Sequence, residues 1–118
     1  MNNNEIISFL VYCLSTIYEE QGIKIIKTNT TIGNEYPNLI IESRNGKLYY
    51  VIIDFSIFPS ENGIYKNQSF DKFISLAHQF NSFPTKANIG LFCLNTDGAP
   101  AVCGGDFVLK FGGLEEVK

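Results

Sequence analysis

No apolar run in this chain reaches the ~18 to 20 residues that span a bilayer, although 45% of its 118 residues are hydrophobic. No membrane-spanning helix is therefore expected. The apolar part of the first helical segment lacks a basic flank and a small-residue cleavage site, so no secretory signal is expected either. Histidine occurs once, at position 78. With no second His or Cys beside it, His78 reads as a surface residue and not a zinc ligand. Cysteine is scarce too: Cys13, Cys93 and Cys103 have no metal-type spacing and cannot all pair with one another. Set inside apolar runs, they read as buried thiols of a reducing compartment, which makes the expected protein soluble and cytoplasmic. Positive charge is sparse and scattered. Nine Lys and Arg face twelve Asp and Glu, for a net charge of −3, and no basic cluster forms a phosphate-tracking stripe. Nucleic acid is thereby disfavoured as a partner, although folding can gather distant lysines. Repeats, low-complexity segments and linkers are absent, so residues 1–118 read as one domain.

What is present is a clear alternation of elements. Residues 4–21 read as a helix, with Ile7, Leu10, Val11, Leu14 and Tyr18 at helical spacing and Gly22 as the stop. Residues 23–28 form a short strand rich in β-branched residues. Two longer apolar strands follow at about 38–43 and 47–56, and both faces of each are apolar, as in a sheet covered on both sides. After a polar loop at 59–67, residues 69–83 read as a second helix. Its core face is Phe70, Phe73, Ile74, Ala77 and Phe80. Residues 88–95 form a buried strand, "NTDGAP" a turn, and 107–111 a last short strand. The expected fold is α/β (α+β), in the order α-β-β-β-α-β-β, with a central mixed sheet flanked by two helices.

The hairpin "YPNLIIESRNGKLYYVIIDFS" puts polar Asn38 and Asp54 at the open ends of its strands. A two-residue Asn45-Gly46 turn makes facing residue numbers sum to 91, which places Asp54 opposite Pro37 and points Asn38 the other way. A three-residue loop over Arg44, Asn45 and Gly46 makes them sum to 90. Asn38 then faces Ile52, and Asn38, Asp54 and Ser56 project to one side. Asn-Gly ordinarily favours the shorter turn, so the separated arrangement is the expectation.

The element order over residues 4–95 resembles the core of the PD-(D/E)xK restriction-endonuclease-like family. In that family a Pro-Asp opens the second strand and an acid-x-Lys triplet closes the third. The resemblance implies two acids holding a divalent metal, usually Mg²⁺, and a lysine that helps activate water. Here Pro37-Asn38 and Asp54-Phe55-Ser56 fall at those places, so only Pro37 and Asp54 match. Asn38 replaces the first acid and Ser56 the lysine. A degenerate member with no catalytic site, acting as a binding or assembly module, is the reading this implies. The alternative is a divergent metal-dependent nuclease acting on DNA or RNA. In that case Asp54 would be the metal ligand, Asn38 a weak neutral one, and Lys66 or Lys72 the displaced cation.

Other candidates are weaker. Glu5, Glu19 and Glu20 read as a solvated helix face, not an additional acid. The glycine-rich "DGAPAVCGGDF" has neither a following helix N-terminus nor a Lys-Ser/Thr, and reads as a hairpin loop. Cys103 within it has no nearby His to make it a nucleophile. Tyr36, Tyr49, Tyr50, Phe55, Phe58 and Tyr65 gather about the hairpin with only Lys47 and Lys66 near them, which suits a core and a protein-facing surface better than stacked bases. On the second helix, Leu76 and Phe83 lie off the main stripe, and that flank is expected to meet a protein partner, most simply a second copy.

Overall fold

The computed structural model describes residues 2–58, 60, 62–93 and 107–118. Helix α1 spans Asn3–Glu20, then come strands β1 (Lys24–Thr28), β2 (Leu39–Glu42) and β3 (Leu48–Ile57). Helix α2 (Asp71–Gln79) leads into β4 (Phe83–Cys93) and β5 (Phe107–Glu116). This is the expected α-β-β-β-α-β-β order. The strands form one mixed sheet in chain order, β1-β2-β3-β4-β5. Only the β3–β4 pair is parallel, which is why a helix-bearing crossover is needed there and nowhere else.

Helix α1 starts where the Asn2 carboxamide accepts the Glu5 N–H at 2.8 Å. It ends where Gly22, at φ +80°, lets Ile23 donate to the Tyr18 carbonyl and Gly22 to that of Glu19. Its face of Ile7, Leu10, Val11, Leu14 and Tyr18 is buried against Leu39, Ile41, Val51, Ile53 and Phe55 of the sheet. Each such side chain, fully buried, stabilises the fold by roughly 1.5 to 3 kcal/mol. Glu5, Glu19 and Glu20 are exposed and His78 is a surface residue, as expected, while Cys13 is half-buried, which pushes its thiol pKa up. The opposite sheet face packs Tyr50 and Ile52 under Phe73 and Ala77 of α2, with Tyr65 from the crossover.

Several expectations need correction. The second helix stops at Gln79 rather than reaching 83, because Asn81 adopts φ +53°. Ser82 then donates to the Ala77 carbonyl and Asn81 to that of His78, the same termination that Gly22 gives α1. Phe83 therefore opens β4, where its ring lies 5.3 Å from that of Tyr49 and under the Lys47 ammonium, so the expected Leu76–Phe83 helix flank does not form. Phe80, assigned to the core, is 53% exposed. Strand β4 begins five residues earlier than expected (83 against 88), and β5 runs to Glu116 instead of stopping at 111. "NTDGAP", most of "DGAPAVCGGDF" and Cys103 lie outside the described residues, as does the side chain of Cys93.

The hairpin register is a further correction. Leu39 faces Val51, Ile41 faces Tyr49 and Glu42 faces Leu48, so facing numbers sum to 90. Gly46 has φ +82° while Asn45 does not take a positive φ, which a two-residue type I′ turn would require of both. Asn45 uses its side chain instead, accepting the Lys47 N–H at 3.3 Å, and Ser43 accepts the same N–H at 3.2 Å. These side-chain bonds favour the three-residue loop with Gly46 in the bulge position.

Candidate functional site

Strand β3 carries Asp54 and Ser56 towards its carboxyl end, on the sheet face that bears α2. Asn88 lies beside Asp54 and Gly90 beside Ser56 on β4. The short helix α2 does not cover this end of the sheet. A cleft of about 360 Å³ remains there, lined by Asp54, Ser56, Gly63, Lys86, Asn88 and Lys110 among others. Gly90 and Gly112 also line it, and their missing side chains keep it open.

Asp54 is 8% exposed. Its Oδ1 accepts the Tyr65 N–H at 3.3 Å, and its Oδ2 lies 3.9 Å from the Lys86 ammonium. Gly63 sits directly against the carboxylate, since a Cβ there would fall 2.3 Å from Oδ1. Ile64 donates to the Phe55 carbonyl at 3.0 Å, so segment 63–65 runs alongside the end of β3. Tyr65 in turn ties down the loop after β1, donating its hydroxyl to the Gly33 carbonyl and accepting the Gly33 N–H. The Asp54 carboxylate thus anchors the start of the crossover. Burial raises its pKa above the ordinary value near 3.8, and the Tyr65 N–H and Lys86 only partly offset this.

Because the folded pKa is the higher one, folding takes up a proton as the pH rises above the unfolded value. Asp54 therefore contributes most below its unfolded pKa, and that contribution falls away as the pH climbs through the raised one. Asp54→Asn keeps an acceptor for Tyr65 and cannot ionise. The stability of the parent relative to Asp54→Asn is expected to decline from about pH 3.5 upward and to level off once Asp54 is ionised. Urea unfolding of both proteins across this range checks it, and a gap that widens in the parent's favour would contradict the assignment.

Lys86 holds a second acid: its ammonium lies 3.9 Å from Glu115 Oε2 as well, and Asn88 donates to that same oxygen at 3.0 Å. The site is therefore an Asp54–Lys86–Glu115–Asn88 network across three strands. Of these, only Asp54 was singled out in the sequence. Ser56 and Asp54 share the cleft. Neither candidate cation lies at the site: Lys72 is exposed and pairs with Glu35 at 3.1 Å, and Lys66 is exposed in the loop after Tyr65 and is not among the residues lining the cleft.

Asn38 also takes no part in it. The register brings Asn38 to the side of the hairpin on which a pocket was conceivable, yet its side chain is fully buried and turned onto backbone. Its Nδ2 donates to the Asn29 and Thr31 carbonyls at 3.0 and 3.1 Å, and its Oδ1 accepts the Ile53 N–H at 2.9 Å. Continuing the register by one residue would set Ile53 against Pro37. The Asn38 carboxamide takes that rung instead and pins the 29–31 loop to the sheet.

Among the described residues the donors do not fit a divalent ion. One Asp54 oxygen already accepts an N–H, the other faces an ammonium, and the Asn38 oxygen is fully buried against the Ile53 N–H. Among the described residues no three His, Cys, Asp or Glu side chains gather into a metal-holding group. No helix among them is long and apolar enough to cross a membrane.

Fold and cleft together define an α+β domain with a five-stranded mixed sheet and, at one end, an acid–lysine network that runs from buried Asp54 to exposed Glu115. The chain belongs to the family described as a domain of unknown function, DUF8840, whose pattern matches residues 4–117. No curated protein and no solved structure matches it.

Proposed function

We propose that this chain is a non-catalytic binding or assembly module on a nuclease-like scaffold, with the former metal site turned into a set of structural anchors. The observation that carries the reading is Asn38, whose side chain is fully buried and makes three hydrogen bonds to backbone groups. The Gly63 contact and the Tyr65 N–H support the same conclusion for Asp54.

The purified protein is expected not to cut linear or single-stranded DNA or RNA with Mg²⁺ or Mn²⁺. Millimolar Mg²⁺ is expected to leave the melting temperatures of the parent and of Asp54→Asn unchanged. A second reading, a divergent metal-dependent nuclease, is favoured by one observation: Glu115 converges with Asp54 on Lys86. It requires the lysine to leave and an ion to take its place. A Mg²⁺-dependent rise in melting temperature seen in the parent alone, with cutting lost in Asp54→Ala, would establish that second reading and overturn the first.

A further inference from the structure

A second concavity lies on the same sheet face, on the far side of α2. The nine-residue helix packs against β4 and covers Tyr50 and Ile52 through Phe73 and Ala77, which leaves the β1–β2 end of the face only partly covered. The groove there measures about 460 Å³, with Ile40 and Tyr50 among its strand residues and Tyr36, Leu76 and Phe80 also lining it. Tyr36 is 62% and Phe80 53% exposed, although large aromatic side chains usually find cover. The stacking of Phe80 on Tyr50, at 6.5 Å between centroids, holds one of these rings in place.

The charge of the groove is opposite to that of the chain. The protein carries −3 overall, yet among the described residues no carboxylate lines the groove and its single charged residue is Lys27. Lys27 makes no ion pair among the described residues, unlike Lys72 and Lys86. An apolar floor, two exposed aromatic rings and one uncompensated cation at the rim call for apolar anchors beside a carboxylate. A stacked nucleic-acid strand would need several cations interleaved with the rings.

We infer that this groove receives a short segment of a partner protein, presenting two adjacent large apolar side chains next to an acidic residue. The inference rests on the binding-module reading but uses none of the Asp54 cleft.

A fluorescein-labelled peptide, Gly-Asp-Glu-Leu-Phe-Ser-Gly, serves as the probe. Two counterparts accompany it, one with Lys-Lys for Asp-Glu and one with Ala-Ala for Leu-Phe. The acidic apolar peptide is expected to bind in the micromolar range and both counterparts at least about tenfold more weakly. Phe80→Ala, a change at an exposed ring that leaves the core intact, is expected to weaken binding about thirtyfold. Lys27→Glu removes the preference for the acidic peptide, and Asp54→Asn leaves binding unchanged. No saturable binding, equal binding of the acidic and basic peptides, or indifference to Phe80→Ala would each overturn the inference. So would tighter binding of an oligothymidylate. A dimer mass by light scattering that Phe80→Ala abolishes would also overturn it, by giving the groove to a second copy. Metal-dependent cutting would sink the binding-module reading instead, and the peptide series distinguishes that failure from this one.

Discussion

Asn38→Asp, which restores the Pro-Asp pair at the start of β2, is expected to destabilise the fold by about 3 to 5 kcal/mol near neutral pH. It is not expected to create a metal site. The Asn38 Nδ2 sits between two carbonyl oxygens, those of Asn29 and Thr31. A carboxylate there sets a third oxygen against both, with no water to screen it. Protonation relieves the conflict, since a carboxylic O–H can donate to one of the carbonyls. The variant's folded pKa is therefore raised, and its stability is expected to recover as the pH falls towards 4 and to decline as it rises. Chemical unfolding at pH 4 and pH 7 measures this. A variant as stable as the parent at pH 7, whose melting temperature rises with Mg²⁺, would show that the pocket accepts an acid.

Gly63→Ala is expected to cost about 1 to 3 kcal/mol, as overpacking does. The new methyl meets the Asp54 carboxyl group, whose three nearest atoms lie 2.3 to 2.5 Å from the ideal Cβ. Either the carboxylate swings away from the Tyr65 N–H or segment 63–65 lifts off the strand. Gly63 does not adopt a positive φ, so the penalty comes from contact and not from backbone strain. The same substitution in an Asp54→Ala background should cost much less, because the obstructing group is gone. A double-mutant cycle by urea unfolding reads the coupling directly, and additive costs would mean that Gly63 and Asp54 do not compete for space.

How far these features could be read in the sequence depended on which residue carried each signal. Gly22 announced the end of α1 because glycine is the usual left-handed terminator. Asn81 does the same for α2, but asparagine is common elsewhere, so the apolar run through Phe80 and Phe83 read as more helix. The hairpin register turned on whether Asn45 bends its backbone or uses its side chain. Ser43, two positions back, tips it to the side chain, and the composition of the turn alone did not show this. The acid–lysine network was hidden for a different reason. Lys86 lay in the connection between the expected helix, ending at 83, and the expected strand, starting at 88, and Glu115 lay beyond Gly112-Gly113, which read as past the last strand. Only the sheet pairing of Ile52 with Lys86 and of Lys86 with Glu115 brings them beside Asp54.

Strand order equal to chain order bears on how the protein is made. As the chain emerges from the ribosome, β1, β2 and β3 can pair by short antiparallel closures, each new strand meeting the one synthesised just before it. Loop closure over such short spans costs little entropy. The one slow joining is the parallel pairing of β4 with β3, which must wait for residues 58–82 and α2. Until then the β4 side of β3, nearly all apolar from Leu48 to Ile53, stands open as an unpaired edge. The interval between synthesis of β3 and of β4 is where this chain is most exposed to misassembly with its neighbours, and where a chaperone would have most to protect.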